Sequence, residues 1–261
     1  MLKLFSKKEI NVNKSSNETP DMSQIIETAK SIINQAERNK TYGDYSERNG
    51  RHPIYGYINF LVRKFVYDIA YNDISKHKRE NEPLMSFDTS DLDKWFRGLG
   101  FNEKDPGLVF GKQDVYLNFA TDPLFSSYNW RDRVVNSYSG LGYNVNGKVS
   151  PNHWTNVVLM IPFGVGLALD DGCHSALSLS CRGEYKARVN KIYDFSEVVG
   201  EWNYQDGLLI KSSSNEKKEK KDVFPECLFQ ITLILFSIGK VMVEHGIEWR
   251  EYTNPDDNCR F

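Results

Sequence analysis

The sequence predicts an α+β fold, in which a helical N-terminal region leads into a mixed α/β core that ends in a C-terminal helix. Two stretches, 23–40 and 53–76, place apolar residues at helical spacing. After residue 107, short apolar runs bounded by glycine and polar residues alternate with helical stretches, as in a sheet covered by helices. The chain has 261 residues, of which 40% are hydrophobic, so it can bury the core of one large domain.

The charge balance disfavours a polymeric anion as partner. The chain carries 33 Lys+Arg against 35 Asp+Glu, a formal net charge of −2. A protein that holds nucleic acid or an anionic membrane through bulk electrostatics needs an excess of basic residues. We therefore expect no membrane partner, and nucleic acid is only a minor alternative.

The cysteines and the apolar runs exclude further classes of protein. None of the 4 Cys lies in a C-x-x-C pair, so neither a thiolate zinc site nor a secreted disulfide scaffold is predicted. The longest apolar run, 227–239, is interrupted by Gln230, Thr232 and Ser237 and is shorter than the roughly 20 residues that a bilayer requires. We expect a buried core helix there, in a cytoplasmic protein without a membrane span.

The helical N-terminal region is expected to extend over residues 21–105. Residues 1–20 are polar and predict a disordered arm or a partner-binding extension. Ser23 is the expected cap of the first helix, and Pro53 is expected to open the second, because a proline costs no hydrogen bond in a first helical turn. A third, shorter helix is expected over 91–99.

The core region is expected to extend over residues 110–250, followed by a tail at 251–261. Its strands are expected at 115–119, 156–161, 164–169, 185–193 and 207–210. Its helices are expected at 129–141, 173–182 and 225–244. The aromatic groups at 193–195 and 202–204 are expected in the core, and the charged run 211–222 predicts a solvated loop.

One segment of the core carries chemical information. An apolar strand ends at Leu169, two aspartates and Gly172 follow, and a helix begins at once. The N-terminus of a helix presents N–H groups and the positive end of the helix dipole, which favour an anion. Gly172 allows close approach of the backbone, and His174 and Ser175 can donate hydrogen bonds to phosphate oxygens. The alternative is a capped turn, with Asp171 or Ser175 as the cap and His174 on the surface.

The spacing of this segment resembles the strand–turn–helix motif of the ParB/sulfiredoxin superfamily. Gly172, His174 and Ser178 match that pattern. The earlier segment Pro123-Leu-Phe-Ser126, followed by Arg133-Val-Val-Asn-Ser137, is similar to a second superfamily segment that helps to bind phosphate. The resemblance implies a ParB/sulfiredoxin-like mixed-sheet domain with a C-terminal helix.

A closer resemblance is to an uncharacterised bacterial domain family that carries a Gly-Asn-His-Ser motif at this turn. It rests on the segments Asn129-Trp-Arg-Asp-Arg133, Asn152-His153, Pro162-Phe-Gly-Val-Gly166, Gly172-x-His174-Ser175, Tyr193-Asp194 and Ile238-Gly-x-x-Met242. It covers about residues 110–250 and implies no established activity.

The superfamily resemblance implies a set of phosphate-binding residues. It carries over Gly172 and His174 directly, and it puts Arg133 at the place of the superfamily's phosphate-binding Lys and Ser137 roughly at that of its Ser. The chemistry of the two helix starts adds Ser175 and Arg131 as candidate phosphate-binding residues. Arg131 or Arg133 would neutralise the phosphate through a guanidinium. This chain departs from the superfamily pattern at Ser175, where the superfamily has Arg.

Cys173 falls on the nucleophile of the sulfiredoxins, whereas the closer family usually has Asn at this place. A thiolate at a helix N-terminus beside a histidine has a lowered pKa, so a redox role stays open at this point. For acid–base chemistry the candidate catalytic residues are His174, His153 and Asp171. The candidate cofactor is a nucleotide with Mg²⁺. The spacing of histidines and acidic residues predicts no metal site built from protein ligands.

Three functions are consistent with these patterns. The first is a nucleotide- or phosphate-ester-binding protein, a phosphohydrolase or phosphotransferase, of a bacterial mobile-element or phage-defence operon. The second is a non-enzymatic component of such a system that binds a protein partner, which the missing superfamily Arg at Ser175 favours. The third is a ParB-like nuclease, which the acidic charge balance disfavours.

Overall fold

The computed structural model describes residues 21–39, 51–76, 89–112, 114–126, 139, 156–169, 173–183, 185–205, 208–214, 216–219 and 227–251. The helices are α1 (Met22–Asn39), α2 (Ile54–Lys76), α3 (Thr89–Leu99), α4 (Pro106–Phe110), α5 (Cys173–Arg182) and α6 (Cys227–Glu244). The strands are β1 (Asn102–Lys104), β2 (Tyr116–Asn118), β3 (Leu124–Ser126), β4 (Asn156–Ile161), β5 (Val165–Leu169), β6 (Lys186–Arg188), β7 (Lys191–Asp194), β8 (Trp202–Gln205), β9 (Leu208–Lys211) and β10 (Lys217–Glu219). The predicted α+β class, with helices first, a mixed sheet and a C-terminal helix, is confirmed.

The largest sheet is mixed and has five strands in the order β1-β7-β4-β5-β3. β4 and β5 form an antiparallel hairpin in its centre. β4 runs parallel to β7, and β5 runs parallel to β3. The residues of β4 and β5 whose exposure is described are buried or nearly so, because both strands are continuous apolar runs, as the sequence predicted.

Two smaller sheets accompany the large one. β8, β9 and β10 form an antiparallel sheet in the order β10-β9-β8, and β2 pairs antiparallel with β6. β10 lies within the charged run that predicted a solvated loop, so that prediction was wrong over Lys217–Glu219. Backbone pairing with β9 does not depend on side-chain charge, and charged side chains suit the outer strand of a sheet.

The predicted strand at 185–193 is two strands that belong to different sheets. The change of sheet falls at two consecutive residues. Val189 N–H donates to the carbonyl of Val115, whereas Asn190 N–H donates to the carbonyl of Val157. The chain therefore leaves the β2–β6 pair and enters the large sheet here, which a continuous alternating pattern does not reveal. The predicted helix at 129–141 lies outside the described residues, apart from residue 139.

The N-terminal helices share a hydrophobic core with the sheets. α1 packs against α2 and α6, and α2 also packs against β3. α3 is tied to α6 by a buried hydrogen bond, which Trp95 Nε1 donates to Thr232 Oγ1 at 3.0 Å. One cluster of buried apolar side chains extends from α1 to the residues after α6. The core is thus continuous across the predicted boundary near residue 110.

The cap of α1 is Asp21 and not the predicted Ser23. The Asp21 carboxylate accepts hydrogen bonds from the backbone N–H groups of Ser23 and Gln24, at 3.0 and 3.3 Å. Ser23 instead lies inside the first turn, where its hydroxyl donates to Asp21. Aspartate and serine are equally good caps, so sequence alone could not choose between positions two residues apart.

Candidate functional site

α5 begins at the carboxyl edge of two parallel strands. β3 and β5 are paired in parallel register, with Ser126 opposite Ala168. The Ser126 hydroxyl donates a hydrogen bond to the carbonyl oxygen of Cys173, the first residue of α5. This contact holds the start of α5 against the end of β3. The two motif segments that the sequence paired by resemblance therefore lie side by side at Ser126 and Cys173.

The first turn of α5 carries the described part of the predicted site. His174 and Ser175 are half-buried there, and the first turn contains no acidic residue. The positive end of the helix dipole is therefore not offset by a carboxylate of that turn. The rest of α5 is mostly buried, so the polar residues of its first turn are held on a fixed element.

Ser178 lies one helical turn beyond His174 and Ser175. Its side chain is fully buried, and its hydroxyl oxygen has no hydrogen-bond partner among the described residues. Buried polar groups are nearly always hydrogen-bonded in native proteins. Within the described residues, the Ser178 hydroxyl is thus a buried polar group whose partner is not accounted for.

The position of Cys173 disfavours a role as nucleophile. Its side chain is only 4% exposed and belongs to the hydrophobic cluster. Its thiol donates a hydrogen bond to the carbonyl oxygen of Ala168 at 3.4 Å. Only a neutral thiol can donate this bond, and a reactive thiolate needs a partly exposed, electropositive surrounding. The structure thus favours a thiol that fixes α5 to β5.

Most of the other predicted site residues lie outside the described part of the chain. These are Asp171, Gly172, Arg131, Arg133, Ser137 and His153. Their convergence with His174 stays a prediction. Within the described ranges, no group of three or more His, Cys, Asp or Glu side chains is placed to hold a metal ion.

A second polar cluster joins α3 to the large sheet. The Tyr193 hydroxyl donates a hydrogen bond to Asp93 and accepts one from Arg97 Nη2 at 3.0 Å. Burial and the hydrogen bond to Asp93 both raise the pKa of Tyr193. Its phenol is therefore neutral at physiological pH and serves as a structural tie, in agreement with the predicted core position of this aromatic group.

Asp194, the neighbour of Tyr193, holds the edge strand β1. Burial acts to raise the pKa of Asp194, but hydrogen bonds from Lys104 and Ser196 outweigh it and hold the pKa below its ordinary value of 3.8. Lys104 Nζ lies 2.5 Å from Asp194 Oδ2. The carboxylate thus stays ionised, and its role here is structural.

A buried ion pair, which the sequence did not indicate, lies at the start of β3, opposite the end that contacts α5. The side chains of Arg51 and Asp122 are 7% and 1% exposed. Asp122 also accepts a hydrogen bond from Asn118 N–H at 2.8 Å, and the Arg51 guanidinium lies 4.8 Å from the ring centroid of Trp249. Arg51 follows a polar stretch, and hydrophobic periodicity carries no signal for such a contact. Arg51 thus joins the start of α2 to the start of β3 through Asp122, and to the segment that follows α6 through Trp249.

His245 lies just after α6, beside Gly246. Its Nδ1 atom is 2.7 Å from Glu37 Oε1 of α1. This contact belongs to the junction of α1 and α6. His245 therefore lies outside the α5 site, and its substitution can serve as a control for a change at His174.

The fold and the site define a class: an α+β protein with a helix N-terminus at the carboxyl edge of two parallel strands. The model of a family described as a family of unknown function (DUF6710) matches residues 7–249. The chain belongs to this family. No curated protein and no solved structure matches it.

The family match sharpens two expectations from the sequence. The expected membership in an uncharacterised domain family is confirmed. The match begins at residue 7, whereas the expected similarity began near residue 110, so the family model also covers the helical N-terminal region. The specific likeness to the ParB/sulfiredoxin superfamily stays a prediction. No helix in the described ranges is long and apolar enough to cross a membrane.

Proposed function

We propose that the protein binds the phosphate group of a small phosphorylated ligand, first of all a nucleotide, at the N-terminus of α5. The observation that carries the proposal is the hydrogen bond from Ser126 to the Cys173 carbonyl. It fixes the first turn of α5 at the carboxyl edge of β3 and β5. In α/β sheets, ligands bind outside the carboxyl ends of parallel strands, and helix N-termini there bind phosphate.

The described residues supply three features that a phosphate site needs. The first turn of α5 lacks acidic side chains, so the helix dipole attracts an anion. His174 and Ser175 provide side-chain donors in that turn. The buried Ser178 hydroxyl provides further hydrogen-bonding capacity one turn along the helix. In this proposal Gly172 admits the phosphate, and Arg131 or Arg133 neutralises its charge.

The reaction class that suits such a site is hydrolysis or transfer of a phosphoryl group. Positioning and charge neutralisation supply most of the catalysis in these reactions. His174, His153 and Asp171 are the proposed acid–base groups, and Mg²⁺ would arrive with the nucleotide. A ParB/sulfiredoxin-like fold, a cytoplasmic location and a place in a bacterial mobile-element or phage-defence operon belong to the same proposal and rest on the resemblance.

Equilibrium binding of radiolabelled ATP, CTP and GTP in the presence of Mg²⁺ tests the proposal. His174→Ala removes a hydrogen bond to a charged oxygen and should weaken binding about tenfold. His245→Ala is the matched control, because that histidine contacts Glu37 at the α1–α6 junction, and it should bind as the wild type does. Absence of binding by the wild type, or equal binding by wild type and His174→Ala, would contradict the proposed site. Release of inorganic phosphate then decides whether binding leads to hydrolysis.

A further inference from the structure

A groove of about 270 Å³ lies between α1, α6 and strand β8. Its apolar floor includes Trp202 and Leu209 of the three-stranded sheet and Phe236 of α6. Lys30 of α1 and Lys240 of α6 also line it. We call this feature the β8 groove. Its lining comes from elements other than α5, β3 and β5, so it is separate from the proposed phosphate site.

β8 lines this groove, and among the described residues no strand pairs with its outer edge. Ser212 N–H donates to the Glu201 carbonyl, and Asn203 is in register with Ile210 of β9. In an antiparallel ladder the hydrogen-bonded residues alternate, so the backbone groups of Trp202 and Tyr204 point away from β9. Among the described residues, no main-chain hydrogen bond reaches those outward groups.

The two edges of this sheet differ in composition. The outer strand β10 is Lys-Lys-Glu, and such charged side chains are a common protection of sheet edges against added strands. The opposite edge strand, β8, is Trp-Asn-Tyr-Gln, with neither a charge nor a proline. Its Tyr204 side chain is 42% exposed, contrary to its expected core position, whereas Trp202 of the same strand is buried. The unprotected edge is therefore the one that borders a groove.

The charges of the β8 groove indicate an acidic occupant. Two lysines, Lys30 and Lys240, line it against one acidic residue, Glu244. Lys240 Nζ lies 3.5 Å from Asn203 Oδ1, at the edge of β8. An occupant with carboxylates at this rim would gain charge-assisted hydrogen bonds, whereas a basic one would be repelled.

We propose that the β8 groove binds an extended peptide, which adds as a strand to the free edge of β8 and alternates apolar with acidic residues. The outward N–H and C=O groups of Trp202 and Tyr204 pair with the peptide backbone. Apolar peptide side chains, two residues apart, lie on the floor formed by Trp202, Leu209 and Phe236. Acidic side chains on the other face lie toward Lys30 and Lys240. A small amphipathic anion would fill the floor but would leave the backbone edge unpaired, which is why the peptide is favoured.

Selection of a displayed library of random twelve-residue peptides against the full chain tests the proposal, followed by affinity measurements on the selected peptides. Tyr204→Pro removes the outward N–H and leaves the hydrogen bonds to β9 in place, because the backbone groups of Tyr204 point away from β9. Proline is also tolerated on an exposed strand edge. Tyr204→Ala removes the same side chain but keeps the N–H. We expect acidic, alternating sequences whose dissociation constants rise at least tenfold on Tyr204→Pro, relative to Tyr204→Ala.

A charge reversal gives a second, independent readout. Lys240→Glu should weaken the selected peptides at least fivefold, whereas Lys64→Glu, the same change on the exposed face of α2, should leave binding within twofold. Selected peptides that do not distinguish the proline from the alanine variant, or failure to select any peptide, would overturn the proposal. Binding of the fluorescent anion anilinonaphthalene sulfonate that is lost on Lys240→Glu, without any peptide binding, would likewise overturn it and assign the groove to small anions.

Discussion

Gly164 shows how one residue limits what the central hairpin can accept. It lies in the turn between β4 and β5 with φ +69°, a conformation that other residues rarely adopt. A Cβ atom placed on it would lie 2.5 Å from Trp249 Cδ1 and 2.9 Å from Tyr55 Cδ1. Two requirements therefore coincide at this position: a left-handed backbone and direct contact with two buried rings.

Gly164→Ala should lower the free energy of unfolding by about 2–4 kcal/mol, because a left-handed alanine is strained and its methyl group overlaps the rings. Gly111→Ala is the matched control. Gly111 has φ +68° but no atom within 4 Å of the added Cβ, so it should lose only about 1 kcal/mol. Urea denaturation measures both. Equal losses in the two variants would show that the contact with the rings does not matter.

At the scale of elements, the ends of helices and the edges of sheets are held by local polar contacts. Asp21 caps α1, and Asp105 caps the short helix α4 by accepting from Gly107 N–H at 2.7 Å. Lys104 and Asp194 hold β1 to β7, where the register pairs Asn102 with Asp194. These contacts lie outside the apolar core, yet they determine where elements begin and pair.

Asp21→Ala should lower the thermal unfolding midpoint by roughly 2–4 °C, because it leaves two backbone N–H groups of α1 without their acceptor. Ser23→Ala removes only a hydroxyl that donates to Asp21 and should have a clearly smaller effect. Thermal unfolding followed by circular dichroism compares the two. If Ser23→Ala lowers the thermal midpoint more than Asp21→Ala does, Ser23 is the cap of α1, as the sequence predicted.

The Asp194–Lys104 contact should make stability depend on acid pH. Because the pKa of Asp194 is lower in the folded state than its ordinary value of 3.8, its contribution is present above that value and is lost as pH falls through the folded pKa. The urea midpoint of the wild type should therefore fall steeply below about pH 4. Asp194→Asn should be less stable at pH 7 and should lose less on acidification.

Lys104→Met serves as the partner control for this pH dependence. It leaves Asp194 without its cation, so the acid-dependent part of the stability should shrink as it does in Asp194→Asn. Urea midpoints at pH 7, 4 and 3 give the comparison. If the urea midpoints of both variants fall with pH as much as that of the wild type, other carboxylates cause the acid dependence.

At the scale of the whole molecule, the helical region and the sheets are joined through one continuous core. Ala29 and Ile33 of α1, Phe96 of α3, Phe125 of β3 and Ile231 of α6 all belong to the same buried cluster. The family match likewise covers both parts, residues 7–249. The helical region thus covers apolar surface that the sheets would otherwise expose.

A fragment of residues 106–261 should therefore fail to fold as a compact domain, because the loss of α1, α2 and α3 exposes the apolar faces of β3 and α6. We expect the fragment to bind anilinonaphthalene sulfonate strongly and to show no cooperative thermal transition. The full chain should bind the dye weakly and unfold cooperatively. The full chain under the same conditions is the control. A fragment with a sharp transition would show that the predicted 110–250 region is an autonomous domain.

The sequence predicted most elements, and the physical reason is local. Helical spacing placed α1, α2 and α6, and continuous apolar runs placed β4 and β5. Residues 173–182 formed the predicted helix with its bounds unchanged, and Gly183 takes a left-handed conformation at its end. The short strands β1, β3 and β8 were missed, because three or four residues carry too little periodicity to recognise.

For the site, the sequence determined which residues have the chemistry to bind phosphate, and it paired the segment that ends at Ser126 with the segment that begins α5. Only the tertiary structure decided that Ser126 contacts Cys173, that the Cys173 thiol is buried and that β8 is the outer strand of its sheet within the described part of the chain. Donors, charges and helical periodicity are properties of the residues and their neighbours in the chain. Burial, strand order and the partners of buried charges such as Arg51 and Asp122 depend on which distant segments meet, and no local pattern encodes that.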